Sequence, residues 1–448
     1  MKITGIQNGM VMQRDSQHLC DIYFTADEKI TSVSVSDKFS APKVEQVADR
    51  YHLTGIRAGG PYTLTLNDTV FTDIYVGDVW LLTGQSNMQG VGRLVNTVRN
   101  NNDKVRAYYM DNHWDMANHP MHRMGESPYE IHKKLGAVPS NFNIKGVGPG
   151  LSFAQKMFDL TGVPQGVIAC AHGGTNLFDQ WNPKRFELGT DDSLYAATYQ
   201  RFVDNGANCR GIFWYQGCSD TYEERVPVYE QNMIDLVAAF RRDFKADLPF
   251  IQVQISRTSW SSPAEMDGHQ RWTAIREIQR NLNDKIDNFD TVSTISYRLA
   301  DCIHLCSDAQ EVLGKDAAEA MYCLIWGKLY GCVPGIKLRS MEVLPDEYDE
   351  NMSYVILEYD NVHGTLCDHS RAMGFDRAWN PDVPEFQAIS DVYCDANRVT
   401  IRFDYKMDAL IGQYLWYGFG KNPSCNITDS HGRSLPAFGP IKIDNQKF

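Results

Sequence analysis

The apolar stretch Val79-Trp80-Leu81-Leu82 runs through Thr83 and Gly84 straight into Gln85-Ser86-Asn87-Met88. A strand ending in a glycine turn presents the Ser86 hydroxyl beside backbone N–H groups, the setting a serine nucleophile needs. The run is not the G-x-S-x-G elbow, and taken alone Gly-Gln-Ser-Asn is also an ordinary turn. A hydroxyl nucleophile requires a base, and the base requires a carboxylate to hold its tautomer. In Asp301-Cys302-Ile303-His304 a loop carboxylate sits three residues before an imidazole and can reach back to it. Two glycine-rich stretches follow apolar runs: His172-Gly173-Gly174-Thr175-Asn176, and Gln216-Gly217-Cys218-Ser219-Asp220. Backbone N–H groups freed by Gly173 or Gly174, and a carboxamide such as Gln216, are donors suited to a tetrahedral oxyanion. Each segment by itself also fits a plain strand-to-helix turn.

The elements that must carry these residues are legible from hydrophobic spacing. Val79–Leu82, Val167–Ala169, Ile212–Tyr215, Phe250–Ile255 and Val292–Ile295 are short apolar runs suited to buried strands. Between them, Phe153/Met157/Leu160, Tyr229/Met233/Val237/Phe240 and Trp272/Ile275/Leu282 recur at helical spacing. Alternation of this kind implies a mostly parallel sheet covered by helices, with chemistry at the carboxyl ends of the strands. Ser307 and Gln310 read as a capping box opening a helix through Leu313, Ala317, Met321 and Leu324. The expected organisation is a β domain over residues 1–78, an α/β domain over 79–335 and a β-rich domain over 336–448.

Composition narrows the function. A chain of 448 residues exceeds the length of about 150 expected of one domain. Its 43 Lys and Arg against 56 Asp and Glu give a formal net charge of −13. With no basic run, it is a poor partner for nucleic acid or anionic membrane. No stretch is apolar enough to span a bilayer, and the first residues lack the apolar core of a secretory signal. The eleven cysteines are scattered and odd in number, unlike a small disulfide scaffold. These features lead us to expect a cytoplasmic protein, or a secreted one if a leader has been removed. Three N-x-[ST] triplets, at Asn67, Asn351 and Asn426, are read as chance matches.

Taken together, the four segments match in chain order the blocks of the SGNH hydrolases, on the branch that resembles sialate O-acetylesterases and related carbohydrate acetylesterases. GDVWLLTGQSNMQG looks like the nucleophile block, HGGTNLFDQW the second, FWYQGCSD the third and DCIHL the last. VGPGLSFAQKM resembles the helix start before the second block, and LWYGFGKNPSCNITDSHGRSLPAF a flanking domain. The resemblance implies a three-layer α/β/α sandwich flanked by β-rich domains. It makes Ser86 the nucleophile, His304 the base and Asp301 its orienter. The Ser86 N–H, an N–H of Gly173 or Gly174, and the Gln216 side chain become the oxyanion donors. The implied activity is removal of O-acetyl groups from a carbohydrate, sialic acid foremost, through an acetyl-enzyme and without cofactor. Acetylxylan or another acetyl-glycan stands as the alternative substrate.

Cys218 departs from the family's Gln-Gly-Glu third block, with Asp220 and Glu223 near enough in sequence to replace the missing carboxylate. That departure keeps open a carbohydrate-binding protein on the same scaffold, and an esterase for longer acyl chains is a third reading. Cys302, His304 and Cys306 lack the paired spacing of a zinc site, so no metal is expected there. His113, His119, His122 and His132 are read as solvated or cleft-lining. Trp181 suits either a sugar-stacking platform or the core.

Overall fold

The computed structural model describes residues 1–448 except 96, 137–143, 261–267, 330, 368, 370, 383 and 385–388. The fold is mixed α/β, with a mostly parallel central sheet and several β-rich sheets. The chain forms two compact units, Met1–Trp214 with Asn232–Phe250, and Tyr215–Gln231 with Ile251–Phe448.

In the first unit, every described element before residue 69 is a strand. Leu19–Ala26 pairs antiparallel with Arg50–Arg57, and Gly59–Leu66 pairs antiparallel with the long strand β1, Thr69–Gly84. β1 alternates between exposed and half-buried positions up to Asp73, then is buried at every residue from Ile74 to Gly84. That change marks its passage from a hairpin edge to the middle of a covered sheet, where both faces are packed. It leads into the one-turn helix α1, Ser86–Gln89. Strands β2, Val105–Tyr108, and β3, Trp114–Met116, form an antiparallel pair at the sheet edge. Helix α2, Gly150–Thr161, precedes β4, Gln165–Ala169, which lies parallel to both β1 and β2. Helix α3, Leu194–Val203, leads to β5, Gly211–Tyr215, on the other side of β1.

Of the predicted Phe153/Met157/Leu160 stripe of α2, Phe153 and Met157 are buried and Leu160 is half-buried, with Phe153 edge-on to Trp80 and stacked on Phe213. Such aromatic pairs add about 0.5–1.5 kcal/mol each beyond burial. Asp78 sits fully buried in β1 between Arg14 and Arg210, which donate to it at 2.7–3.0 Å. Both guanidiniums anchor the strand where it enters the sheet.

In the second unit, β6, Phe250–Gln254, and β7, Phe289–Ser293, are neighbouring fully buried strands separated by helix α4, Gly268–Asn281. Helix α5, Ser307–Trp326, begins one residue earlier than the capping-box reading requires. Cys306 occupies the cap position and makes no side-chain cap bond, so Ser307 is already inside the helix. The remainder is β-rich. β8, Lys337–Pro345, β9, Ser353–Asp360, β10, Phe375–Ala378, β11, Ile389–Asp395, β12, Arg398–Phe403, β13, Tyr414–Tyr417, and β14, Phe438–Lys442, form two antiparallel sheets. Alternate residues of β9, Val355, Leu357 and Tyr359, enter a core with Val399, Ile401 and Phe403. Buried Arg276 of α4 donates to the carbonyls of Gly418 (3.0 Å) and Gly420 (2.6 Å), tying the closing β segment to that helix. Burial lowers this guanidinium to about 10.

Candidate active site

Ser86 stands at the head of α1, immediately beyond the carboxyl end of β1 and half-buried. The chain turns there because Gly84 adopts φ +126°, a region closed to most side chains, while Gln85 remains extended. Thr83 ties the strand end to β5 by donating its hydroxyl to the Phe213 carbonyl at 3.2 Å. The neighbouring strand β4 extends past its own end in step with β1. Cys170 N–H donates to Leu82 O and His172 N–H to Gly84 O, both at 3.0 Å. This register delivers Gly173 against Ser86. A Cβ on Gly173 would lie 2.7 Å from Gln89 Oε1 and 3.2 Å from Ser86 Cβ, so a side chain there would displace the Gln89 amide and crowd the serine. Gly174 follows at φ +74° with open space around it.

The Gly173 N–H donates to Gln89 Oε1 at 2.8 Å. Sequence reasoning passed over Gln89. Its signal was its place three residues after Ser86, which puts both on one face of the short helix.

Beside Gln89 and Gly173 opens a cavity of about 300 Å³, also lined by His122, Arg123, Lys145 and His172. The expectation for the histidine group is corrected in part. His113 is exposed and His122 lines the cavity, but His122 and His132 are buried rather than solvated. His132 stacks on His172 with their Nδ1 atoms 2.8 Å apart. Burial lowers His172 to about 4 and His122 to about 3. Burial, with help from His172 and Arg201, takes His132 to about 2. At neutral pH the cavity wall therefore carries uncharged imidazoles. Trp181 is fully buried, donates its indole N–H to Thr175 Oγ1 and packs edge-on to Trp214. It is a core residue and presents no face to a sugar.

The second unit carries Gln216, Asp301 and His304. Gln216 is buried at the end of β5, where Gln279 and Tyr229 donate to its carbonyl at 2.9 and 3.2 Å. Its side-chain amide donates to Asp220 Oδ2. Asp220 is itself buried whereas Glu223 is exposed, so Asp220 supplies the carboxylate beside Gln216. Cys218 is a buried thiol pushed up to about 12 by burial, a packing residue rather than a reactive one. Asp301 and His304 lie in a tight loop closed by the Ala300 N–H to His304 O bond of 2.7 Å. Both Asp301 oxygens are 2.9 Å from His304 Nδ1. Burial pushes the Asp301 carboxyl up, but hydrogen bonds from the His304 ring and from the His304 and Ile303 N–H groups outweigh it. The carboxyl is held well below the usual carboxylate range. An ionised carboxylate on Nδ1 leaves Nε2 as the basic nitrogen, the form a general base requires.

The structure thus brings Ser86 and Gly173 together in one unit, and Asp301 with His304 in the other. All eleven cysteines are free thiols. Among the described residues, Cys302, His304 and Cys306 do not converge as a metal-binding group.

Residues 76–323 match the family model described as carbohydrate esterase, sialic acid-specific acetylesterase. The carbohydrate acetylesterase XAC1771 from Xanthomonas citri is similar in structure, with a TM-score of 0.69 at 19% identity over 97% of this chain and 98% of that one. That likeness is one of fold across nearly the whole chain. A protein from Arabidopsis thaliana matches at TM-score 0.43 and 26% identity, over 54% of this chain and 96% of its own. NanS matches at TM-score 0.39 and 17% identity, over 55% and 96%. No curated protein sequence matches the chain significantly.

Proposed function

The chain belongs to the carbohydrate esterase, sialic acid-specific acetylesterase family, and from that premise we propose that it hydrolyses an O-acetyl ester of an acidic sugar, sialic acid foremost, using Ser86, His304 and Asp301. The observation that carries the reading is Ser86 at the carboxyl end of a central strand with the Gly173 backbone against it, where a Cβ would lie 3.2 Å from the Ser86 Cβ. Ser86 Oγ attacks the acetyl carbonyl and His304 Nε2 takes its proton. The tetrahedral oxyanion is received by the Ser86 N–H, the Gly173 or Gly174 N–H and the Gln216 amide. His304 returns the proton to the departing sugar oxygen, leaving acetyl on Ser86. Water, deprotonated by His304, then releases acetate.

In the free protein the Gly173 N–H is engaged by Gln89 and the Gln216 amide by Asp220. The reading requires the ester oxygen to take over from Gln89, whereas Asp220 steers the amide. The cavity supports an acidic sugar because Arg123 and Lys145 place cationic groups on a wall otherwise lined by uncharged residues, among them the neutral imidazoles of His122 and His172. Its size suits one sugar ring rather than a long acyl chain.

The test is acetate release from O-acetylated sialic acid, its carboxyl methyl ester and acetylated xylo-oligosaccharides, with wild type and Ser86→Ala. The expected result is fastest turnover of the free-acid sialic acid ester and a loss of order 10⁴-fold or more in Ser86→Ala. Full activity in Ser86→Ala would remove the mechanism. Equal rates on the methyl ester would remove the acidic-sugar preference, and faster turnover of the xylo-oligosaccharides would reassign the substrate.

A further inference from the structure

Within the second unit, three segments distant in sequence meet at Glu319 of α5, His363 after β9 and His431 in the turn before β14. One ligand atom from each lies within 4.8 Å of the other two. His363 Nε2 is 2.8 Å from Glu319 Oε2, and the two imidazoles stack with centroids 4.0 Å apart. Glu319 is buried, His363 half-buried and His431 exposed.

A second layer holds these segments in place. Asp429 accepts the backbone N–H of His363 at 3.0 Å through Oδ2 and that of His431 at 2.9 Å through Oδ1. Arg433 donates to Asp429 at 2.8 Å and to Asp316 at 3.2 Å, the latter one turn before Glu319 on α5. One carboxylate thus fixes both histidine backbones, and one guanidinium links that carboxylate to the helix bearing the third group. Asp316, Glu319 and Asp429 are all at least nine-tenths buried. Arg433 pairs with Asp316 and Asp429, and burial raises the Asp316 carboxyl to about 7.

We propose that Glu319, His363 and His431 bind a divalent transition-metal ion of the zinc type. Two imidazoles and a carboxylate are donors that suit zinc, and three protein ligands leave the fourth tetrahedral position to water. Metal–donor bonds of about 2.0–2.2 Å place neighbouring donors about 3.3 Å apart. The His363–Glu319 pair is already at that scale, and the exposed His431 ring closes the remainder by rotating out of the stack. The ion clamps α5 to the two β-segment turns. Backbone bonds to Asp429 play the supporting role common around metal ligands. This assignment is independent of the esterase reading.

The experiment uses the full chain stripped with EDTA and dialysed. Calorimetric titration with Zn²⁺ should give one site per chain, with Tm rising as zinc concentration rises. Co²⁺ should give tetrahedral visible bands with no thiolate charge-transfer absorption, which separates this site from the free cysteines. His431→Ala, at an exposed side chain, and His363→Ala should each lose the site, and Glu319→Gln should weaken it at least tenfold. His431→Ala should keep the metal-free Tm of wild type, so its result is readable even if His363→Ala folds poorly. Absence of zinc binding, unchanged affinity in His431→Ala, or a thiolate band with Co²⁺ would each overturn the proposal.

Discussion

Asp301 holds His304 through both of its carboxylate oxygens, each 2.9 Å from Nδ1, and accepts the backbone N–H of the same histidine at 2.9 Å. Three contacts from one carboxylate lock the ring, its tautomer and the loop at once. Asp301→Asn keeps the size of the group but turns a donor toward Nδ1, which moves the ring proton to Nε2. The expected outcome is a fall in kcat of order 10⁴-fold with little change in Tm, as in serine hydrolase triads treated the same way. A fall of less than tenfold would show that His304 does not depend on Asp301 for its role.

Gly173→Ala tests the close approach to the serine. The added methyl meets Gln89 Oε1 at 2.7 Å and Ser86 Cβ at 3.2 Å, so the Gln89 amide must swing aside and the serine must give by tenths of an ångström. A displacement of about 1 Å in such a site costs on the order of 10²-fold in rate, and this smaller one costs about tenfold. The prediction is that smaller loss in kcat, and Gly174→Ala serves as the comparison. No neighbour lies within 4 Å of a Cβ on Gly174, so any cost there arises from its φ of +74°. Wild-type turnover by Gly173→Ala would separate Gly173 from the chemistry.

Gln216→Ala distinguishes an oxyanion donor from a turn-supporting residue. If the amide contacts the developing charge, kcat drops about 10²-fold while KM changes little, because the bond strengthens in the transition state. Removing the amide also takes a hydrogen bond from buried Asp220, so Tm should fall as well. Asp220→Asn leaves Gln216 present but less firmly steered, and a smaller kcat loss is expected. Normal kcat in the folded fraction of Gln216→Ala would exclude it from the reaction.

Burial raises Asp376 of β10 to about 6, above its unfolded value of about 3.9. Between roughly pH 4 and 6 the unfolded chain therefore releases a proton that the folded chain retains. This group's contribution is fully present below about pH 4, declines as pH rises to about 6 and is flat beyond. Asp376→Asn should flatten that part of the profile. Urea unfolding across this range reads the difference, and parallel profiles for the two proteins would contradict the assignment.

Much of the site was legible before the fold because its chemistry is local. Ser86 follows its strand directly, and Asp301 reaches His304 across three residues, so apolar runs and short spacings marked both segments as candidates, while their roles came only from the resemblance of four blocks in chain order. The alternation of strands and helices was likewise a property of hydrophobic period, which reports burial directly. Tertiary structure decided what depends on residues far apart in the chain. Gln89 became visible only when β4 and β1 aligned Gly173 with it, and Trp181 was assigned to the core only when Trp214 packed on it. Asp220 rather than Glu223 stands beside Gln216 because the turn after β5 buries one carboxylate and exposes the other. Glu319, His363 and His431 have no common spacing; they meet because a helix and two turns pack against one another. A sequence specifies local periodicity and turn chemistry residue by residue, but pairings across many residues follow from the packing of whole elements.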